Sequence, residues 1–207
     1  DLPGLVVANG ADLTEFTPLG RQRTDEPILL YVGTMSYYPN IDAVQHYFQD
    51  IHADIRQRKP DLHVHIVGHS PPAEIQSLAR LPGVLVTDTV PDVRPYYEGA
   101  TVLIVPLRLG GGTRLKIVEA MAMGLPVIST SVGAEGLDII PGENILIADD
   151  AASFSASVLE LLTDSDLRAR IARGGQQLAQ RYDWMEITKP WVDLVEQVAS
   201  EWKQAAI

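Results

Sequence analysis

Between Ile28 and Asp149 the chain alternates short, almost wholly apolar runs with longer stretches of helical period, and few folds accommodate that pattern. The runs are "ILLYVG" (28–33), "LHVHIVG" (62–68), "GVLVTD" (83–88), "TVLIVP" (101–106), "LPVIST" (125–130) and "NILIAD" (144–149). Continuous apolar runs of this length belong to strands covered on both faces, not to half-exposed ones. In "PNIDAVQHYFQDIHADIRQRKP" the residues Ile41, Val44, Tyr47, Phe48, Ile51 and Ile55 recur every three or four positions, the spacing of one helix face. "PPAEIQSLARL" predicts a short helix opened by prolines, "DVRPYYEGA" a short broken one, and "TRLKIVEAMAMG" a helix closed at Gly124, where glycine accepts the left-handed cap. Strands and helices joined by short connections predict a parallel sheet with helices on both faces: a Rossmann-like three-layer α/β/α sandwich of about six strands. Ligands bind such sheets at the carboxyl ends of the strands.

From Asp150 to about Gln204 the pattern is helical. Breaks are expected at Gly174-Gly175, around Tyr182-Asp183 and at Pro190, which should bend the last helix near its middle. Trp184, Ile187, Trp191, Leu194, Val195, Val198 and Trp202 form an apolar stripe that is expected to pack within the domain; the alternative is that it covers a partner domain.

The 207 residues suit one large domain, and the first is Asp1 rather than Met, as expected of a segment from a longer protein. A net charge of −11 argues against holding nucleic acid or an anionic lipid surface by bulk attraction. An anionic ligand must therefore be held by local donors. Cysteine is absent, which excludes disulfides and thiolate metal sites. Every apolar run is too short to span a membrane.

"PLRLGGGTRLKIVEAMAMGLPVIST" (106–130) supplies such donors. Gly110, Gly111 and Gly112 let backbone N–H groups approach an anion, and the helix that follows adds unpaired N–H groups and the positive end of its dipole. Arg114 and Lys116 stand where cations gain nothing from that dipole, which suggests an outside negative charge. A diphosphate suits a forked guanidinium and a mobile ammonium. Glu119, one turn further on, is acceptor-only when ionised and could hold two ribose hydroxyls. Together these residues describe a nucleoside diphosphate. Neither G-x-G-x-x-G after the first strand nor G-x-x-x-x-G-K-[ST] occurs, which lowers a dehydrogenase or a P-loop ATPase.

"VVANGADLTEF", "PLRLGGGTRLKIVEAMAMGLPVISTSVGAEGL" and the helical tail resemble family 4 retaining glycosyltransferases, specifically the carboxyl-terminal, nucleotide-sugar-binding half of these two-domain GT-B enzymes. The resemblance implies a crossover linker at 1–26, a donor-binding domain at 27–182, and a tail at 183–207. The tail would pack on the domain and on a missing amino-terminal, acceptor-binding half. It implies transfer with retention, a UDP- or GDP-linked sugar as donor substrate, and no metal or other cofactor. The second Glu of the family's E-x7-E motif matches Glu119; the first falls at Gly111. Family members often place cations after the first strand, whereas this chain has "GTMSYYPNID" there. Arg114 and Lys116 are then the candidates to stabilise the leaving diphosphate, with Gly33 and Thr34 allowing close approach and Thr113 completing the Gly-rich turn. The loop "TVPDV", with Val90, would present backbone groups to the base, and "SVGAEG" would lie near the sugar or the interdomain cleft. A cytoplasmic location follows from the same resemblance, any membrane contact coming through the missing half. Two rival readings are a GT-B sugar-nucleotide epimerase and a nucleotide-binding module without chemistry.

The remaining candidates carry less. His63 and His65 alternate on one strand with His69 beyond, but a further ligand is not evident. Tyr37 and Tyr38 could stack on a sugar or base, or wedge against the first helix. Asp92 and Glu98 read as helix-end or solvated acids, Asp149 and Asp150 as caps of the next helix, and Glu135 as a sugar contact or an ordinary loop acid.

Overall fold

The computed structural model describes residues 5–20, 26–112 and 114–205. The predicted linker at 1–26 therefore falls partly outside the described residues, and so does Thr113. The apolar runs form β1 (Ile28–Val32), β2 (His63–Val67), β3 (Val84–Val86), β4 (Val102–Val105), β5 (Val127–Ser129) and β6 (Leu146–Ile147). They pair in parallel in the order β3-β2-β1-β4-β5-β6. Leu29 stands beside Val64 on one side and Val102 on the other. Every residue of β4 and β5 is buried, so the sheet is covered on both faces. The fold is the Rossmann-like α/β sandwich that the alternation predicts, followed by a helical tail.

The first crossover is one continuous helical segment: α1 (Tyr38–His46), a π-helical turn (Tyr47–Ile51) and α2 (His52–Arg58). Val44, Tyr47, Ile51 and Ile55 all remain buried across it. Then come α3 (Ala73–Gln76), α4 (Arg94–Gly99), α5 (Leu115–Ala122), α6 (Ala151–Thr163) and α7 (Ser165–Ala179), and after these α8 (Trp184–Ile187) and α9 (Lys189–Ala205). Gly124 takes φ +68° just past α5, as the cap requires. Asp150 caps α6, accepting from Ala152 N at 3.0 Å and Ser153 N at 2.9 Å. Asp149 does not share that work: its carboxylate takes the Ser131 N–H and hydroxyl, each at 2.7 Å, and ties the loop after β5 to β6.

Three expectations are corrected. Gly174 and Gly175 do not break the tail; α7 runs through them. A Cβ on Gly174 would lie 2.3 Å from the Glu143 carbonyl oxygen, and one on Gly175 2.9 Å from Met121 Cγ, so these glycines serve close packing of α7 against α5 and the loop before β6. Pro190 is the second residue of α9, where its missing N–H is tolerated, and it starts a helix instead of bending one. The stripe is not core: Trp191, Leu194, Val195, Val198 and Trp202 are exposed, Trp202 at 77%. Helical period shows that one face is apolar but not what covers it.

The segment ahead of the sheet docks on the start of this tail. Ala11 donates to the Tyr182 carbonyl at 2.9 Å and accepts from Trp184 N at 3.1 Å. A Cβ on Gly10 would collide with the same carbonyl at 2.4 Å.

Candidate functional site

The strand order reverses between β1 and β4, which opens a crevice at their carboxyl ends. β1 delivers Gly33 and Thr34 to it, and β4 delivers the loop that leads into α5. Between them lies a cavity of ≈ 380 Å³ lined by Gly33, Thr34, Tyr37, Asn40, Leu107, Gly111, Arg114, Lys116 and Glu119, among others. An adjoining cavity of ≈ 240 Å³ shares Val32, Gly33 and Thr34 and extends to Gly68, His69, Thr89, Val90 and Val93. Gly33, Thr34, Gly111, Arg114, Lys116 and Glu119, far apart in sequence, thus meet in one crevice, with Val90 next door. Gly110 and Gly112 do not line it. They take φ +108° and +88° and shape the turn that presents Gly111.

Lys116 Nζ lies 4.5 Å from the centre of the Tyr31 ring and donates to Asn40 Oδ1 at 2.9 Å and to the Tyr31 hydroxyl oxygen at 3.3 Å. Lys116 is half-buried and lines the crevice. Burial, and secondarily the Arg114 charge, pull its pKa down to about 7, with Glu119 opposing them. Arg114 is buried; its Nη1 donates to the Gly111 carbonyl at 3.0 Å and its Nη2 to that of Val132 at 3.4 Å. Its Nε is buried with no hydrogen-bond partner among the described residues. Arg114 stands at the N-cap of α5, and Lys116 is the second residue of the helix. Glu119 accepts from the Tyr97 hydroxyl at 2.7 Å, and burial raises its pKa against the lowering effects of that bond and of Lys116. The crevice therefore concentrates positive charge, partly offset by one carboxylate with spare acceptor capacity. An anion with neighbouring hydroxyls suits it.

Sequence reasoning missed Arg108 and Asn40. Arg108 forks onto Asp42 of α1, with Nε–Oδ2 at 3.1 Å and Nη2–Oδ1 at 2.6 Å, and so ties the Gly-rich loop to the first helix. Asn40 is buried and bonds three different segments (below). "PNID" holds the signal in part: Asn40 falls among the apolar positions of its helix, but nothing local names its partners.

Tyr37 and Tyr38 are exposed rather than wedged, and Tyr37 lines the crevice. Glu135 is exposed and lines neither cavity. Asp92 holds Arg94 through its backbone N at 3.0 Å and Nε at 2.9 Å; Glu98, at the end of α4, is buried and not solvated. His65 packs edge-on to Tyr96, while His69 Nδ1 meets Thr89 Oγ1 at 2.5 Å. Among the described residues no group of three His, Cys, Asp or Glu side chains is placed to hold a metal, and no helix is long and apolar enough to cross a membrane. A second cavity of ≈ 380 Å³ sits at the opposite, amino end of the sheet, lined by Glu26, Pro27, Thr101, Pro126, Ser165 and Arg168 among others. Its guanidinium is committed to the Leu161 carbonyl at 2.8 Å, and it lacks the convergent charges of the first.

Residues 26–164 match the family described as glycosyl transferases group 1, and the chain belongs to that family. It is 26% identical over 213 residues to a D-inositol 3-phosphate glycosyltransferase of Corynebacterium urealyticum, a match that covers 91% of this chain and 50% of the relative. Sucrose-phosphate synthase from Thermosynechococcus elongatus superposes with a TM-score of 0.73 at 26% identity, over 94% of this chain and 52% of that one. Anabaena HepE, crystallised with UDP and glucose, superposes with a TM-score of 0.74 over 93% of this chain and 56% of that one; at 16% identity the likeness is one of fold. The chain spans between about a third and a half of the length of the first curated relatives it matches.

Proposed function

We propose that this chain is the donor-binding half of a retaining, family 4 GT-B glycosyltransferase that takes a UDP- or GDP-linked hexose. The observation that carries the reading is the meeting of Arg114, Lys116 and Glu119 in one crevice at the point where strand order reverses. Family membership and the UDP bound by a protein of like fold support it. In this reading residues 27–182 bind the donor, 1–26 lead in from an acceptor-binding half, and 183–207 return to it.

The diphosphate lies against Gly33, Thr34 and the Gly-rich turn, Glu119 accepts from the ribose hydroxyls, and the Thr89–Val93 loop receives the base. As the bond from the anomeric carbon to the diphosphate oxygen breaks, charge grows on the leaving group. Lys116 and Arg114 stabilise it there, in a low-dielectric crevice where each cation counts for more than in water. The acceptor oxygen bonds to the same face of the sugar and passes its proton to the departing diphosphate oxygen, and the nucleoside diphosphate leaves. Cations take the part of a metal in this scheme, and catalysis is assigned to charge stabilisation without a base from this half.

Thermal unfolding with UDP, GDP, ADP and NAD, repeated on Glu119→Ala and Arg114→Ala, tests the reading. A nucleotide at about a hundred times its dissociation constant adds roughly 2.7 kcal/mol. Stabilisation by UDP or GDP that both variants cut to roughly half or less is the expected result. Stabilisation by NAD alone overturns it.

A further inference from the structure

Asn40, the third residue of α1, has no place in the reading above, yet it is the best-connected polar side chain at the crevice. Its Oδ1 accepts from Lys116 Nζ at 2.9 Å and from the Tyr31 hydroxyl at 2.8 Å, and its Nδ2 donates to the Thr34 carbonyl at 2.8 Å. One amide thereby joins β1, the loop after it and α5. The fit is close: a Cβ on Gly33 would stand 2.9 Å from both Asn40 Cγ and Lys116 Nζ, so the glycine makes room for this pair. Asn40 is itself 8% exposed. A neutral amide here costs less to bury than a carboxylate, and it leaves the ammonium without a counter-ion of its own.

We propose that Asn40 is the positioning residue of the donor site: it holds the Lys116 ammonium beside the Gly33–Thr34 loop without neutralising it, so that the counter-charge comes from the ligand's diphosphate. The inference rests on the nucleotide reading of the crevice. Binding then recruits a proton to Lys116 wherever the free site has lost it. The charged and titratable groups around that ammonium are Tyr31 on β1, Asp42 on α1 (engaged by Arg108), Arg114 and Glu119 on either side along the chain, and Tyr97 of α4 behind Glu119. Among them Glu119 is the carboxylate that acts on Lys116, and it acts without a direct hydrogen bond to Nζ.

The test is calorimetric titration of UDP and GDP from pH 7 to 10, a range in which a terminal phosphate, with a second pKa near about 6, keeps its charge. In the unaltered chain affinity should fall roughly tenfold per unit as pH rises above about 7, with one proton taken up. Asn40→Asp supplies a carboxylate to Lys116, so the fall should move upward by at least about one unit, while the added negative charge weakens binding overall. Tyr31→Phe removes a hydroxyl that accepts from the ammonium, and should raise the proton uptake measured on binding at pH 7 from about one half toward one. Asn40→Ala should weaken binding at least about tenfold. A part that is merely structural would lower affinity without moving the pH midpoint. If Asn40→Asp binds nucleotide with the unaltered midpoint and Tyr31→Phe with the unaltered proton uptake, the positioning role fails and the nucleotide reading survives. If the unaltered chain binds neither nucleotide, both fall. Circular dichroism of each variant checks the fold, and Tyr31→Phe carries the test where Asn40→Asp does not fold.

Discussion

Lys116 puts a charge where burial disfavours one, and that has a consequence without any ligand. Its folded pKa is depressed to about 7, while an unfolded lysine titrates near about 10.4. Between those values the unfolded chain holds the proton and the folded chain has released it, so stability from this group rises with pH across the window. Below about pH 7 both states are charged and the desolvation cost is borne in full. Lys116→Met should therefore be more stable than the unaltered chain at pH 6, and should lose the upward slope between pH 7 and 9 in urea unfolding. A slope that persists in the variant assigns the proton elsewhere. Glu119 makes a complementary prediction for binding. A charged acceptor for hydroxyl groups contributes about 1.5–3 kcal/mol, so Glu119→Ala should lower nucleotide affinity roughly 10- to 100-fold. A nucleotide lacking both ribose hydroxyls should bind the two forms equally, and if it still distinguishes them Glu119 does not read the ribose.

Elements explain which parts of the site were legible in the sequence. The Gly-rich stretch lies within one strand–loop–helix unit, so local pattern predicts Gly111, Arg114, Lys116 and Glu119 on one rim, and the structure brings them together with Gly33 and Thr34. The Asn40–Lys116 and Asp42–Arg108 contacts join residues more than sixty positions apart. Their pairing depends on β1 lying next to β4, which alternation alone does not dictate. Asp42 and Arg108 should act through the loop they join. Asp42→Asn loses an ion pair with one half-exposed partner, worth about 1 kcal/mol or less. Amide exchange at Gly110–Gly112 should then quicken by up to about fivefold, and unchanged exchange there removes the latch. The glycines of α7 show the opposite lesson. Read locally they are helix breakers, but packing against the Glu143 carbonyl overrides that preference. Gly174→Ala should destabilise by about 1–3 kcal/mol through overpacking, although alanine is the better helix former; a stabilised variant in thermal unfolding would show that the contact gives way.

At the scale of the whole molecule the segment ahead of the sheet meets the start of the tail, and one face is left open. The segment around Ala11 bonds to Tyr182 and Trp184, and from there α9 carries its tryptophans and aliphatic side chains into solvent. That arrangement suits a crossover and a returning tail that share one hinge, in keeping with the proposed second half. Apolar periodicity located the stripe, but its cover lies in contacts that a helix pattern cannot encode. The account stands or falls on which end of the sheet holds the nucleotide, because cavities of equal size open at both. Amide chemical-shift mapping on addition of UDP, and then of GDP, decides this most directly. The largest shifts are predicted at Gly33, Thr34, Gly111 and Lys116, with smaller ones at Thr89 and Val90. Shifts confined to Thr101, Ser165 and Arg168 at the amino end would contradict the donor site outright.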